Sequence, residues 1–173
     1  CISANRFLVQ DGIYEEFVGA FSEAVSALRV ADGFTEGAQV GPLIDMPALA
    51  KVERHVADAL AQGADLRVGG KRLEGQFFEP SVLTGVTMDM AMSCEETFGP
   101  VAGINRFATD AEAVAIANDS RFGLQAGVFT RDLANGLKAA RTLEFGGVLI
   151  NEVPTFRADQ MPYGGVKDSG NTR

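Results

Sequence analysis

The fold class follows from residues 101–151, VAGINRFATDAEAVAIANDSRFGLQAGVFTRDLANGLKAARTLEFGGVLIN. The apolar runs VAGINRF, LQAGVFT and GGVLIN are typical of buried strands. Two segments with helical spacing separate them, from about Asp110 to Asn118 and from about Asp132 to Leu143. Strands that alternate with helices of about 10–15 residues predict right-handed crossovers. We therefore expect an α/β fold with an open, mostly parallel sheet and helices on both faces.

The same alternation begins near the start of the chain. Residues 6–10, RFLVQ, predict a short strand. Asp11 follows as the expected cap of a helix. The apolar positions of that helix keep near-helical spacing and are Ile13, Phe17, Phe21, Val25 and Leu28.

A second helix is predicted from about Pro47 to Gln62, with Asp45 as its cap and Gly63 as its stop. Its apolar face would consist of Leu49, Val52, Val56 and Leu60. The run DLRVGG at residues 65–70 then predicts another strand.

Composition narrows the class of protein. The 173 residues are 46% hydrophobic and 22% charged, so we expect one domain with a sizeable core over residues 1–173. A net charge of −8 with 15 scattered basic residues argues against a nucleic-acid partner. No apolar run approaches the roughly 18 residues of a membrane span, so we expect no membrane partner. Two cysteines and one histidine suit neither a disulfide framework nor a zinc site, which predicts no metal and a reducing, cytoplasmic location.

Common catalytic motifs are absent from the sequence. It contains no P-loop, no G-x-G-x-x-G and no G-x-S-x-G. His55 lies in VERHVADAL beside the apolar-face residue Val56, so we expect it at the surface or at a boundary. A hydrolase with a Cys-His pair is therefore disfavoured, because the two side chains would have to meet within hydrogen-bond distance.

The segment CEETFGPV at residues 94–101 has two interpretations when taken alone. It could be an acidic loop that a Gly-Pro turn closes before a buried strand, or Cys94 could be a nucleophile beside a carboxylate base. Its companions along the chain decide between them. They are CISANRFLVQDGIYEEF at 1–17, GPLID at 41–45, NDSRFGLQAGVFTRD at 118–132 and PYGGVKDSG at 162–170.

In that order and at those intervals, these segments resemble the aldehyde dehydrogenase superfamily. The resemblance covers essentially the whole chain and implies a catalytic domain over residues 1–173, incomplete at both ends and without the Rossmann-like cofactor domain. The chain begins at Cys1 without an initiator Met, which also suggests part of a longer protein. The resemblance further implies a homo-oligomer, a dimer or a tetramer.

Several site residues follow from the resemblance. Cys1, followed by small residues and Arg6, matches the catalytic nucleophile. Glu96 would accept hydrogen bonds from the nicotinamide-ribose hydroxyls of NAD or NADP, and Phe98 would pack near the nicotinamide ring. Lys51 would touch the cofactor ribose, or it would be a solvated helix lysine. Cys94 falls at a position without a chemical role, and we expect it to be a semi-buried filler.

The substrate would be an aldehyde, and the loop VPTFRADQMPYGG at residues 153–165 matches the wall of its tunnel. Phe156 and Tyr163 could line that tunnel or belong to the core. Arg157 could bind an anionic substrate group, or it could be a surface arginine paired with Asp159. The implied reaction is oxidation of a short, polar or anionic aldehyde through a thiohemiacetal and a thioester. The alternatives are a catalytically incompetent fragment and a non-catalytic interaction module of the same fold.

Overall fold

The computed structural model describes residues 4–170 of the chain. These residues form two compact units, residues 4–107 and residues 108–170. The expectation of a single catalytic domain over 1–173 stays a prediction. No helix of the described residues is both long enough and apolar enough to cross a membrane.

The first unit is a four-stranded sheet with helices. Its elements in chain order are β1 (Arg6–Gln10), a 3-10 turn (Asp11–Ile13), α1 (Tyr14–Ser26), α2 (Met46–Ala61), β2 (Asp65–Val68), β3 (Ser81–Thr84), α3 (Ala91–Cys94) and β4 (Val101–Phe107). The strand order is β1-β4-β3-β2. β4 runs parallel to both β1 and β3, and β2 is an antiparallel edge strand. The expected mostly parallel α/β sheet is therefore confirmed.

Helices cover both faces of this sheet, as the alternation along β3 demonstrates. Val82 packs in a core cluster with Val18 of α1, whereas Leu83 packs in a second cluster with Val52 of α2. Because successive residues of a strand point to opposite faces, the two helices lie on opposite sides of the sheet. Both strand residues are fully buried.

The second helix matches its prediction closely. The Asp45 side chain caps α2 by accepting a hydrogen bond from the backbone N–H of Ala48 at 2.7 Å. Leu49, Val52 and Val56 are buried as expected. The prediction for Leu60 is wrong, because this side chain is 40% exposed, and the helical period instead buries Ala59.

Asp11 does not cap the first helix, so that prediction is also wrong. It begins the 3-10 turn, and α1 begins at Tyr14 with no side-chain hydrogen bond at its N-cap. The Asp11 carboxylate is instead engaged with Arg106 of β4, whose Nε lies 3.0 Å away. Asp11 thus forms an ion pair with the neighbouring strand and does not cap α1.

The second unit contains short strands and two helices. Its elements are α4 (Asp110–Asn118), β5 (Phe122–Gly123), β6 (Gln125–Val128), α5 (Leu133–Thr142), β7 (Gly147–Ile150) and β8 (Val166–Lys167). β6 and β7 pair in parallel with α5 as their crossover, and β5 pairs antiparallel with β8. Both predicted helices are confirmed to within one residue at each end.

Candidate functional site

The segment from Glu95 to Phe98 leaves α3 as a loop that is extended at Glu95, where φ is −113° and ψ is 145°. Side chains of an extended segment alternate between two sides. Thr97 is only 5% exposed and faces the protein. Glu96 and Phe98 are exposed, Phe98 at 52%. The segment therefore offers a carboxylate and an aromatic ring to solvent while its alternate residues hold it in place.

Glu95 is bound by two side chains of α2. The Arg54 guanidinium donates to both carboxylate oxygens, at 2.8 and 3.4 Å, and His55 Nε2 lies 3.2 Å from Oε2. These hydrogen bonds, that of Arg54 first, lower the pKa of the Glu95 carboxyl to about 2. The same contact raises the pKa of Arg54. Glu95 is thus an ionised acceptor at neutral pH and not a general base.

His55 is fully buried, so the expectation of a surface or boundary position is wrong. Its Nδ1 lies 3.1 Å from Thr97 Oγ1, and its Nε2 faces Glu95. Burial lowers the pKa of the imidazole, although the hydrogen bond with Glu95 opposes that change. Because the Glu95 carboxylate can only accept, the neutral ring must carry its proton on Nε2, and Nδ1 must accept from the Thr97 hydroxyl.

The sequence does contain a signal for this buried histidine. His55 lies three residues after Val52 and four residues before Ala59, and both of these are fully buried. That spacing places the three side chains on one face of a helix. An apolar face defined by Leu49, Val52 and Val56 alone does not include His55, which is why its burial does not follow from the apolar pattern.

Two further side chains of α2 bind the same stretch of chain. Lys51 Nζ donates a hydrogen bond to the backbone oxygen of Glu96. The Asp58 carboxylate accepts from the backbone N–H of Ala91, the first residue of α3, at 2.8 Å. Lys51 is therefore not a freely solvated lysine, and it reaches the predicted cofactor residue Glu96 through the backbone.

The exposed groups have the chemistry that a nicotinamide dinucleotide requires. Within the described residues, no hydrogen bond occupies the Glu96 carboxylate, whose residue is bound only through its backbone oxygen, and a free carboxylate can accept from two neighbouring hydroxyls. Phe98 adopts φ 53°, in the left-handed region that favours glycine, and an exposed aromatic face can support a planar ring. Unusual backbone at an exposed aromatic residue is typical of functional sites. Lys51 thus contacts Glu96, Phe98 lies two residues further along the same segment, and the cofactor roles that the resemblance implies for them stay predictions.

Of the two cysteines, the structure describes only Cys94. Cys94, the last residue of α3, is exposed, so the prediction of a semi-buried filler is wrong. Its Sγ lies 3.2 Å from the backbone oxygen of Met88. Cys1, the predicted nucleophile, lies outside the described residues.

The predicted substrate loop belongs to the second unit. Phe156 is 47% exposed and Tyr163 is 50% exposed, which excludes the alternative that they belong to the core. The Arg157 guanidinium lies over the Tyr163 ring, 5.0 Å from its centroid. In the described part of the chain, no ion pair joins Arg157 to Asp159, so the predicted surface pair is wrong.

The base of this loop is fixed by Asn151. This residue has φ 57°, and its side chain accepts from the Thr130 N–H at 2.8 Å and donates to the Thr130 oxygen at 2.9 Å. The amide thereby pairs with the Thr130 backbone as a neighbouring strand would. The loop that carries Arg157 therefore follows a residue that two hydrogen bonds hold in place.

Comparison with known proteins identifies relatives of the whole chain. The model of the aldehyde dehydrogenase family matches residues 1–173. A 3-sulfolactaldehyde dehydrogenase of Pseudomonas putida is 46% identical over 172 residues, which cover 98% of this chain and 35% of the relative. The NADP(+) succinate-semialdehyde dehydrogenase GabD of Escherichia coli is 44% identical, with 98% of this chain and 36% of the relative covered.

Among solved structures, aldehyde dehydrogenase 21 of Physcomitrella patens, in complex with the reaction product succinate, superposes with a TM-score of 0.94 at 38% identity. The match covers 99% of this chain and 35% of that chain. The chain thus spans about a third of the length of the relatives that it matches.

Proposed function

The chain belongs to the aldehyde dehydrogenase family, and we propose that its full-length protein oxidises a short anionic aldehyde to the carboxylic acid with NAD or NADP. The observation that carries this proposal is the exposed pair Glu96 and Phe98, held on a loop segment whose alternate side chains, Glu95 and Thr97, are bound to α2. Two exposed, uncommitted groups on a fixed backbone are typical of a binding surface.

In this proposal, the cofactor binds beside the Glu95–Phe98 segment. Glu96 accepts hydrogen bonds from the nicotinamide-ribose hydroxyls, and Phe98 packs near the nicotinamide ring. Lys51 holds the backbone of this segment through its hydrogen bond to the Glu96 backbone oxygen. The bound nicotinamide supplies a hydride acceptor. Because the family uses both NAD and NADP, the proposal covers either dinucleotide.

Cys1 is proposed as the nucleophile. Its thiolate attacks the aldehyde carbon and forms a carbon–sulfur bond, which leaves a tetrahedral thiohemiacetal oxyanion that its own backbone N–H can stabilise. The carbon-bound hydrogen leaves as hydride, which the dinucleotide would accept, and the adduct becomes a thioester. Water then cleaves the carbon–sulfur bond: its oxygen and one proton go to the acid, and its other proton goes to the Cys1 sulfur.

Exchange of each cysteine for serine tests this assignment. In the full-length protein, Cys1→Ser should abolish aldehyde-dependent reduction of the dinucleotide, since a hydroxyl is a far poorer nucleophile at neutral pH. Cys94→Ser is the matched control, because Cys94 is exposed and should be dispensable. Loss of turnover in Cys94→Ser with retention in Cys1→Ser would reverse the choice of nucleophile.

Arg157 supports an anionic substrate. Its guanidinium lies against the Tyr163 ring and is not neutralised by Asp159, so its hydrogen-bond donors can bind a carboxylate or a sulfonate. Two relatives are named for aldehydes with such a group, 3-sulfolactaldehyde and succinate semialdehyde. Phe156 and Tyr163 would form the apolar sides of the same substrate site.

The substrate class can be tested by Arg157→Ala in the full-length protein. The loss of a charge-assisted hydrogen bond, about 1.5–3 kcal/mol, should lower kcat/KM for succinate semialdehyde by roughly tenfold to a hundredfold. A neutral aldehyde of similar length should be much less affected. Arg141→Ala, at an exposed position in α5, serves as the control. Equal losses for both aldehydes would return the substrate class to unknown.

We also propose that the full-length protein is a cytoplasmic homo-oligomer, a dimer or a tetramer, as the family resemblance implies. Light scattering of the purified protein tests the assembly. A mass equal to that of one chain would contradict it.

A further inference from the structure

One stripe of α2 holds the segment that carries the proposed cofactor residues. We name it the α2 clamp and define it as Lys51, Arg54, His55 and Asp58. Together these side chains bind the backbone or the side chains of residues 91–97. Since they are three or four positions apart, they lie on one side of the helix.

We propose that His55 is a positioning residue for dinucleotide binding, which acts through Glu95 and Thr97 to orient Glu96 and Phe98. The proposal rests on the function proposed above. His55 is the fully buried member of the α2 clamp, whereas the Arg54 side chain is 54% exposed. A hydrogen bond shielded from water holds its geometry better than an exposed one.

Both ring nitrogens of His55 contribute to this positioning. Nε2 reaches Glu95 and Nδ1 reaches Thr97, so one rigid ring joins two residues that are two positions apart. Residues at this spacing point to the same side of an extended segment. Fixing Glu95 and Thr97 on α2 therefore turns Glu96, which lies between them, to the opposite side. Phe98 follows Thr97 with φ 53°, and its ring is exposed.

Rotation of this segment would exchange the two sides. Glu96 and Phe98 would then turn toward α2, and the binding surface would be lost. Arg54 can still hold Glu95 without His55, because it donates to both carboxylate oxygens. Thr97, however, would lose the one side-chain hydrogen bond that its hydroxyl makes within residues 4–170, so the Thr97–Phe98 half of the segment should loosen most.

His55→Leu tests the proposal in the full-length protein, because it removes both hydrogen bonds with a side chain of similar size. His55→Gln restores a donor toward Glu95 and should rescue part of the effect. Thr97→Val removes the other contact and provides a second variant if His55→Leu fails to fold. Val56→Ala, at the next, buried position of α2, controls for a general loss of packing.

Two measurements read out positioning without turnover. Amide hydrogen exchange of residues 95–99 in the dinucleotide-free protein should accelerate in His55→Leu and Thr97→Val, but not in Val56→Ala. The Kd for NAD or NADP, measured by calorimetry, should rise about fivefold to tenfold in both variants, as expected for a lost hydrogen bond.

The outcomes separate this proposal from the proposed function. If the unaltered protein binds neither dinucleotide, the proposed function fails, and the exchange data alone decide whether His55 holds the segment. Unchanged exchange and unchanged Kd in His55→Leu would overturn the positioning role even if the dehydrogenase is active. An equal change in Val56→Ala would show that loss of packing, rather than the hydrogen bonds, is responsible.

Discussion

Thr97→Val should destabilise the folded protein although the two side chains have nearly the same shape. The substitution removes the hydroxyl that donates to His55 Nδ1 at 3.1 Å. Both residues are almost free of solvent contact, at 5% and 0% exposure, so no water can replace the lost donor without rearrangement. A buried acceptor left without a partner costs about 1–3 kcal/mol, which corresponds to a roughly fivefold to 150-fold change in the unfolding equilibrium. Transfer of the ring proton to Nδ1 would not relieve the defect, because a bare Nε2 would then face the ionised Glu95 carboxylate.

A double-mutant cycle with His55→Leu isolates this hydrogen bond. Urea unfolding, followed by far-ultraviolet circular dichroism, gives the free energy of unfolding for the four proteins. We expect the full loss for Thr97→Val in the presence of His55, and less than about 0.5 kcal/mol in the His55→Leu background. The same loss in both backgrounds would refute the tautomer and hydrogen-bond assignment.

Three other predictions concern packing and pH. Gly146→Ala should lower the free energy of unfolding by about 1–3 kcal/mol, because an added Cβ would overlap the backbone oxygen of Gly164. Gly147→Ala should be tolerated, because a Cβ there would lie 3.6 Å from its nearest neighbour, the Gln125 side chain. Thermal unfolding of both variants checks this. The pKa of His55 is lowered in the folded protein, so the unfolded state takes up the proton more readily. The free energy of unfolding should therefore fall as the pH drops below about 6.5. The same dependence of this free energy on pH in His55→Leu would contradict the prediction. Glu95 has a folded pKa of about 2 against an ordinary 4.5, so it stabilises the fold above pH 4.5 and that contribution should vanish as the pH falls from 4.5 toward 2, as acid unfolding of Glu95→Gln would reveal.

Much of the architecture could be predicted because its signals are local. The Asp45 cap, the period of α2 and the apolar run of β4 each depend on neighbouring residues, and each was found. β3 and α3 were not predicted: each spans four residues, too few to establish a period, and neither lies beside a predicted helix, as the equally short β2 and β7 do.

The candidate site divides in the same way. Glu96 and Phe98 are predicted as cofactor residues through the family resemblance; both are exposed, and their roles stay predictions. The support of the site could not be predicted, because His55 meets Glu95 across 40 residues of sequence. The same holds outside the site for Asp11, which meets Arg106 of β4. Such partners are set by the tertiary fold, and no pattern within one segment encodes them.

Substrate preference can be measured directly with the full-length protein, by following reduction of NAD and of NADP with succinate semialdehyde and with a neutral aldehyde of similar length. An anion-binding guanidinium predicts a kcat/KM that is roughly tenfold to a hundredfold higher for the anionic aldehyde. That preference should be present with at least one of the two dinucleotides and absent in Arg157→Ala. Equal or better turnover of the neutral aldehyde, or no aldehyde-dependent reduction at all, would contradict the proposed function.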